Sequence, residues 1–398
     1  MKLIHNSLFD LITQTPADSG GVPWLSEAAA KNARRFHRSL PAYRETRLVS
    51  LACAADQFGV AGILVKDESD RFGLKAFKGL GGSYGMFRIL CERLGLDPES
   101  ADFKPFEDPE IRRRCADIEF VTATDGNHGK GVSWAAQQFG CRAHVYMPVG
   151  TVEARRRAIE EAGSATAEIT PWSYDETVAY AAKQAGEHGW ILIQDTAWDG
   201  YEQIPQWIIE GYLTIGEETA EQLGGLTPTH VFLQAGVGSM AGGLTAYFRN
   251  RYAPASPLVT IVEPTSAACV YESVKAGDGA MHTVPGDAET IMAGLNCGTP
   301  CSVVWPVLRD EAAAYAACTD AVTITGMRAY ARPVGSDQAV ISGESGAVTF
   351  GLLWEILRDG ALRREMKIDQ ESVILLVNTE GDTDPEGYRR VLSEEEQI

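Results

Sequence analysis

Short apolar runs alternate with stretches of helical spacing along most of the chain. Ile63-Leu64-Val65 predicts a buried strand. A polar loop follows, then small and apolar residues that predict a helix from Gly79 to Leu94. Ahead of them, Leu51 to Phe58 has helical spacing, and residues 1–60 read as an entry arm with a first helix. The polar, proline-containing stretch from Asp97 to Asp117 predicts a surface-exposed insert. From Glu119 the pattern repeats. Strands are predicted at Phe120-Val121-Thr122, Ala143 to Met147, Ala167-Glu168-Ile169 and Trp190 to Ile193. Helices are predicted at Val132 to Phe139, Val152 to Ala162 and Tyr174 to His188.

A long helix, Ile204 to Leu223, leaves this block, and the alternation resumes with strands at His230 to Leu233, Leu258 to Val262 and Val373 to Val377. Ser345 to Leu357 reads as another helix. Alternating strands and helices imply right-handed crossovers and mostly parallel, twisted sheets flanked by helices. The expectation is an α/β protein of two domains with a cleft between them. In such sheets ligands sit beyond the carboxyl ends of the strands.

With 398 residues, 45% hydrophobic and 22% charged, the chain is long enough for two cores. Its formal charge of −19 speaks against nucleic acid and against an anionic membrane surface as partners. An anionic ligand then needs a local solution, such as glycine-lined amides at a helix start. The first residues show no signal peptide, and no apolar run approaches the ~20 residues of a membrane helix. The 8 cysteines and 7 histidines are scattered without zinc spacing, so no metal is expected. Free thiols in a cytoplasm are expected, with Cys269 and Cys297 a pair the fold can bring together.

Four motifs carry chemistry. Lys78 stands at a strand-to-helix junction, where rigid elements hold a lysine that must shed its proton to attack a carbonyl. Gly79, Gly81 and Gly82 are expected to let a flat ring approach the backbone. Thr124-Asp125-Gly126-Asn127-His128-Gly129 follows a strand and opens a helix. Its free amides suit a carboxylate, Asn127 a ring oxygen, and Asp125 a substrate's proton or charge. Gln234-Ala235-Gly236-Val237-Gly238-Ser239-Met240-Ala241-Gly242 lies at a similar junction and suits a phosphate. Its glycine spacing is not that of a dinucleotide fingerprint, and no Walker A lysine follows. Thr379, after the last strand, offers a neutral hydroxyl. Each motif alone has a plainer reading as a solvated lysine, a helix cap or a turn. Together they are what pyridoxal 5′-phosphate requires: an amine for its aldehyde, an amide for its ring oxygen, a cup for its phosphate and a hydroxyl for its ring nitrogen.

These stretches resemble the fold type II, tryptophan-synthase-β-like family of pyridoxal-phosphate enzymes. The resemblance runs from about residue 24 to 390 and includes Lys66 to Ser69, Arg71 to Leu74 and Ala76-Phe77-Lys78. It continues through Gln194-Asp195-Thr196-Ala197-Trp198, Ser342 to Ala347 and Thr379 to Asp384. It implies a large cofactor-binding domain from residues 1–83 and 200–398 and a small α/β domain from 84–199. It also implies Lys78 as the lysine that holds the cofactor. Asn127, Gly236, Val237, Gly238, Ser239, Met240, Gly242, Glu344 and Thr379 are the further expected contacts. A homodimer is implied as well. Serine dehydratases of the family resemble Ser-Phe-Lys and Ser-Ser-Gly-Asn-His where this chain has Ala76 and Asp125. Lys75 also departs from the family pattern and sets a second lysine near the first.

The carboxylates turn the expectation toward a substrate with a second amine. Lys78 is the expected base for the α-proton of an L-substrate. Asp125 or Asp195 would attract a β-ammonium, and Asp125 would alternatively serve as the base for a D-substrate. The reaction that the resemblance implies is α,β-elimination of 2,3-diaminopropionate, D or L or both, to pyruvate and two ammonia. Serine or threonine dehydration is the alternative within the family. A cofactor-binding sensor without turnover is the alternative of another class.

Overall fold

The computed structural model describes residues 1–17, 22–124, 126–284 and 290–393. Its strands, in chain order, are β1 (Lys2–His5), β2 (Phe9–Thr13), β3 (Leu48–Ser50), β4 (Gly62–Asp67), β5 (Glu119–Ala123) and β6 (Arg142–Met147). They continue with β7 (Ala165–Ile169), β8 (Ile191–Leu192), β9 (His230–Gln234), β10 (Leu258–Pro264), β11 (Ala314–Cys318) and β12 (Val373–Asn378). The chain divides into two compact units, one of residues 1–26, 45–70 and 215–398, the other of residues 27–44 and 71–214.

The first unit is built on an eight-stranded sheet in the order β1-β2-β11-β10-β9-β12-β4-β3. The five strands from β11 to β4 run parallel, and β1, β2 and β3 are added antiparallel. β9 and β12 are buried along their whole length, as strands covered on both faces must be. That explains their unbroken apolar runs. β11, Ala-Tyr-Ala-Ala-Cys, is equally buried but alanine-rich, so its sequence carries little strand preference. The entry arm holds more order than its pattern predicts: β1 and β2 form a hairpin and extend the sheet through β11.

Two helices of this unit, Asp320–Ala331 and Glu344–Arg358, cross at closely approaching backbones. A Cβ on Gly351 would lie 1.9 Å from the Val322 carbonyl oxygen, and one on Gly326 would lie 2.1 Å from that of Ala347. Only glycine permits this approach. The crossing fixes the second helix, whose first turn carries Glu344 and Ser345.

The second unit holds a parallel four-stranded sheet in the order β7-β6-β5-β8. The helix Gly79–Leu94 has the bounds its pattern predicts. The helix Asn127–Phe139 begins five residues before the predicted Val132, because its first turn is glycine-rich and has no apolar spacing to read. The stretch from Asp97 to Asp117 is not a purely exposed insert. It contains the helix Pro109–Cys115, capped by Asp108 on the Glu110 and Ile111 amides, and it buries Phe103, Phe106 and Cys115. Phe106 meets Phe139 edge-on at 4.8 Å between ring centres. Two aromatic anchors outweigh a polar surround.

Gly351→Ala is expected to lower stability by roughly 3 kcal/mol, since the helix crossing must open to admit a methyl group. Urea unfolding of the two proteins measures it. A midpoint equal to wild type would mean that the two helices do not pack as described.

Candidate active site

In the first unit the candidate residues gather at the carboxyl ends of β9 and β12. The chain leaves β9 at Gln234 and turns through Gly236 to Gly238 into the helix Ser239–Arg251. Gly238 caps that helix in the left-handed region at φ 87°, and a Cβ there would lie 2.5 Å from Leu308 Cδ1. A side chain is excluded twice, by conformation and by space. A Cβ on Gly242 would lie 2.6 Å from that of Val304. Val237 is fixed by its carbonyl, which accepts from the Cys301 amide at 2.7 Å, and Met240 is buried. The result is a rigid turn with no basic residue, opening a helix whose first amides have no intrahelical acceptor. That donor set fits a phosphate.

Gln234 is a functional candidate that the strand pattern hides. Its Nε2 donates to the Val377 carbonyl at 3.0 Å and to Thr379 Oγ1 at 2.7 Å. The Thr379 hydroxyl therefore accepts from Gln234 and keeps its own proton for another acceptor. An unprotonated pyridine nitrogen is such an acceptor. Glu344 and Ser345 lie close by in the packing: the Ser345 amide donates to Glu380 Oε1 at 2.9 Å, and the Gly294 amide donates to Ser345 Oγ at 3.2 Å. Gly294 in turn borders Gly236, where a Cβ would lie 3.2 Å from the Gly294 carbonyl. The Glu344 carbonyl accepts from the Thr323 hydroxyl.

In the second unit Lys78 immediately precedes the helix Gly79–Leu94. It is half-buried and paired with Asp195, which follows β8. Asn127 opens its helix after β5. Thr124 Oγ1 accepts from the amides of Gly126 at 3.0 Å and Gly129 at 3.4 Å, so the threonine ties down that helix start. Asp125 lies outside the described residues. His128, buried, donates from Nε2 to the Ile193 carbonyl at 2.8 Å and sets Nδ1 3.7 Å from Asp195 Oδ2.

Gln194 holds the Asp195 loop. Its Oε1 accepts from Thr122 Oγ1 and the Ala123 amide, at 2.9 and 3.0 Å, and its own amide donates to the Tyr201 hydroxyl at 2.8 Å. The two loops after β5 and β8 are thus stitched together. His128 and Gln194 both stand inside motifs that the sequence singles out. The signal that could have found them is their place next to a strand end, beside Asn127 and Asp195.

The three glycines after Lys78 do not leave space for a ring. A Cβ on Gly81 would lie 2.5 Å from the Tyr212 ring, and one on Gly82 would lie 3.3 Å from the Gly131 backbone. Leu74 and Phe72 fill that space at Gly79, the helix Gln203–Gln222 fills it at Gly81, and the helix Asn127–Phe139 fills it at Gly82. Gly131 is the counterpart: its Cβ would lie 2.9 Å from the Lys78 carbonyl oxygen. These glycines bring the lysine and the Asn127 helix together, backbone against backbone.

The neighbouring lysines differ in surroundings. Lys66 is sealed, donating to Glu218 at 2.7 Å, the Thr46 carbonyl at 2.8 Å and Gln222 at 3.0 Å. Lys75 is exposed, with a left-handed backbone at φ 58°. Burial acts to raise the Asp195 carboxyl, but the adjoining His128 and Lys78 outweigh it and bring it down to about 2. Burial holds His128 below its ordinary value. All eight cysteines, Cys269 and Cys297 included, are free thiols. Among the described residues no cluster of His, Cys, Asp and Glu fits a metal ion.

One unit holds an amine beside a carboxylate, and the other holds a glycine turn and a threonine hydroxyl that accepts from Gln234; each set is of a kind that pyridoxal phosphate can use. The sequence profile of the family described as "Pyridoxal-phosphate dependent enzyme" matches residues 40–380. The chain belongs to that family, and pyridoxal phosphate is its cofactor. The diaminopropionate ammonia-lyase of Escherichia coli K12 is 45% identical over 377 residues, covering 94% of this chain and 93% of that one. The enzyme of the same description from Salmonella typhimurium LT2 is 45% identical over 364 residues, 90% of either chain. A crystal structure of the holo Escherichia coli enzyme aligns with TM-score 0.90 and 43% identity, over 98% of this chain and 97% of that one. The fold is that of the fold type II enzymes.

Asp195→Asn removes a carboxylate whose affinity for a proton is lower in the fold than in the unfolded chain. Its contribution to stability is therefore full above about pH 4 and is lost as pH falls toward 2. The variant is expected to be about 2 kcal/mol less stable than wild type near neutral pH. That gap should close in acid. Urea unfolding at a series of pH values reads it, and a gap independent of pH would refute the pairing.

Proposed function

We propose that the chain acts as a diaminopropionate ammonia-lyase, releasing pyruvate and two ammonia from 2,3-diaminopropionate. The observation that carries this reading is the relation to enzymes of that description along nearly the whole of both chains. The pairing of Lys78 with Asp195 gives it a chemical basis.

Bound pyridoxal phosphate supplies an electron sink for negative charge at the substrate's α-carbon. The rest falls to the protein. Lys78 is the residue on which the aldehyde is held, and its free amine is placed to take the α-proton of the L-isomer. The turn of Gly236, Val237, Gly238, Ser239, Met240 and Gly242 cradles the phosphate. Asn127 would donate to the ring oxygen, Glu344 would contact the cofactor, and Thr379 would donate its proton to the ring nitrogen. A neutral donor there does not hold the ring protonated, which suits early departure of the β-group.

Asp195, once Lys78 is engaged, is an anion in a water-poor site. It attracts the β-ammonium, so that the amine leaves already protonated. A β-hydroxyl gains little from such an anion, and this favours diaminopropionate over serine or threonine. Asp125 is assigned either to the same ammonium or to the α-proton of the D-isomer. We further propose a homodimer that works in the cytoplasm. The eight free thiols support a reducing compartment. Among the described residues no helix is long and apolar enough to cross a membrane.

Purified holoenzyme is expected to release pyruvate and ammonia in a ratio of one to two from diaminopropionate, and far less pyruvate from serine or threonine. Turnover of serine or threonine alone would make it a dehydratase, and cofactor uptake without turnover a sensor. Asp125→Asn separates the two roles of that residue. A loss confined to the D-isomer assigns it as a base. Equal losses on both isomers, roughly ten- to a hundredfold with serine turnover spared, assign it to the ammonium.

Gly238→Asp is expected to lose the cofactor on dialysis, because charge and Cβ both enter the phosphate turn. The visible absorbance retained per subunit measures this. Normal retention in a folded variant would remove the turn from the cofactor site.

A further inference from the structure

His128 is 3% exposed, and its Nε2 lies 2.8 Å from the Ile193 carbonyl oxygen. A carbonyl only accepts, so Nε2 carries a proton and the neutral ring presents a lone pair at Nδ1. That Nδ1 has no hydrogen-bond partner among the described residues. Buried polar atoms are rarely left so, and each such case asks for a reason. Asp195 Oδ2 stands 3.7 Å from it, and this is the same oxygen that pairs with Lys78. One carboxylate oxygen thus stands between an amine and an imidazole acceptor.

On the function proposed above, Lys78 must become a free amine before it can engage an aldehyde or take an α-proton. As an ammonium it balances Asp195. If its proton went to bulk water, the buried cluster would be left with a net negative charge, an unfavourable state. We propose that His128 is a positioning residue that receives, through Asp195 Oδ2, the proton Lys78 gives up, and so keeps the cluster neutral while the lysine works.

The transfer balances. One N–H bond of the Lys78 ammonium breaks, and its electron pair stays on Nζ. Oδ2 accepts that proton and passes it on, and an N–H bond forms at Nδ1. The charges on lysine, aspartate and histidine change from +1, −1 and 0 to 0, −1 and +1, with a sum of zero throughout. A small turn of the carboxylate brings 3.7 Å within hydrogen-bond range. Among the described residues, the titratable groups acting on the ring are Asp195 and Lys78. Burial disfavours its charge, Asp195 favours it, and the Lys78 charge opposes it. When Lys78 loses its charge that opposition ends, and the ring gains its proton as the lysine loses one.

The test is nitrogen-15 histidine NMR of the wild-type protein at neutral pH, with and without its cofactor. The cofactor-free protein should show His128 as the neutral Nε2–H form. The holoenzyme, with Lys78 engaged, should show Nδ1 protonated as well. Two variants test turnover. His128→Gln keeps a donor for Ile193 and leaves nothing at Nδ1, and His128→Asn places there an amide that cannot take a proton. Both should lower kcat about a hundredfold, with KM changed little. Both should also move the acid limb of the kcat profile to higher pH, because Lys78 then sheds its proton less readily. The same neutral tautomer in both states, or His128→Gln with wild-type kcat and an unshifted profile, overturns the inference. Wild type that takes up cofactor and turns over beside such an unshifted variant overturns this inference alone. Wild type that does neither overturns the proposed function and this with it. If both variants fail to fold, the wild-type spectra decide.

Discussion

The placement of Lys78 depends on backbone contacts that only glycine allows. Gly82 lies against Gly131, and Gly131 lies against the carbonyl of Lys78 itself. Gly81 admits the ring of Tyr212 from the helix Gln203–Gln222. A lysine side chain has four rotatable bonds and little preference among them, so its usefulness depends on how firmly its backbone is held. Here the backbone is fixed from two directions, and the amine is drawn to one side by Asp195. Asp195 is in turn fixed through Gln194, whose amide group ties the loop after β8 to the end of β5. A chain of close approaches and saturated hydrogen bonds thus decides where a flexible side chain ends up.

Much of this was legible in the sequence, and the limits have physical causes. Apolar runs of β-branched and leucine residues revealed β4, β9, β10 and β12, and strong helical spacing gave Gly79–Leu94 and Tyr174–His188 to the residue. What stayed hidden were elements whose order comes from tertiary contact. β11 is mostly alanine, β2 is held by pairing to it and β1 by pairing to β2, and Phe103 and Phe106 anchor a stretch that reads as polar. Motifs at strand ends could be found because chemistry restricts their residue types. The partners that orient them could not, because a buried Gln194 or Gln234 looks like any glutamine until its neighbours across the sheet are known.

The glycines show the same limit. Beside Lys78 they predict room for a flat ring, and the space at each is filled by packing instead. The three lysines near the motif illustrate it too. Lys66, Lys75 and Lys78 are equivalent as letters and separate only by surroundings: one sealed by three acceptors, one exposed, one half-buried against a single carboxylate. Lys78 combines access with a carboxylate through which a proton can leave.

The two units present opposite electrostatic solutions, and the contrast bears on the proposed chemistry. Around Lys78 the groups are ionic, and Asp195 is kept charged despite burial. Around Gly236 and Thr379 the direct contacts are neutral, from amides, a hydroxyl and the Gln234 side chain, and the neighbouring Glu380 carboxylate is tied to the Ser345 amide. For a chain with formal charge −19, an anionic phosphate is better held by fixed amide dipoles than by a lysine or arginine that nearby carboxylates would claim. The neutral end also sets the direction of the Thr379 proton. Because Gln234 donates to Val377 and Thr379 with the same nitrogen, the hydroxyl cannot donate back, and its proton stays available to another acceptor. On the function proposed above, a donor at the ring nitrogen would limit how far charge spreads into the ring, and the Asp195 carboxylate would favour loss of a protonated amine.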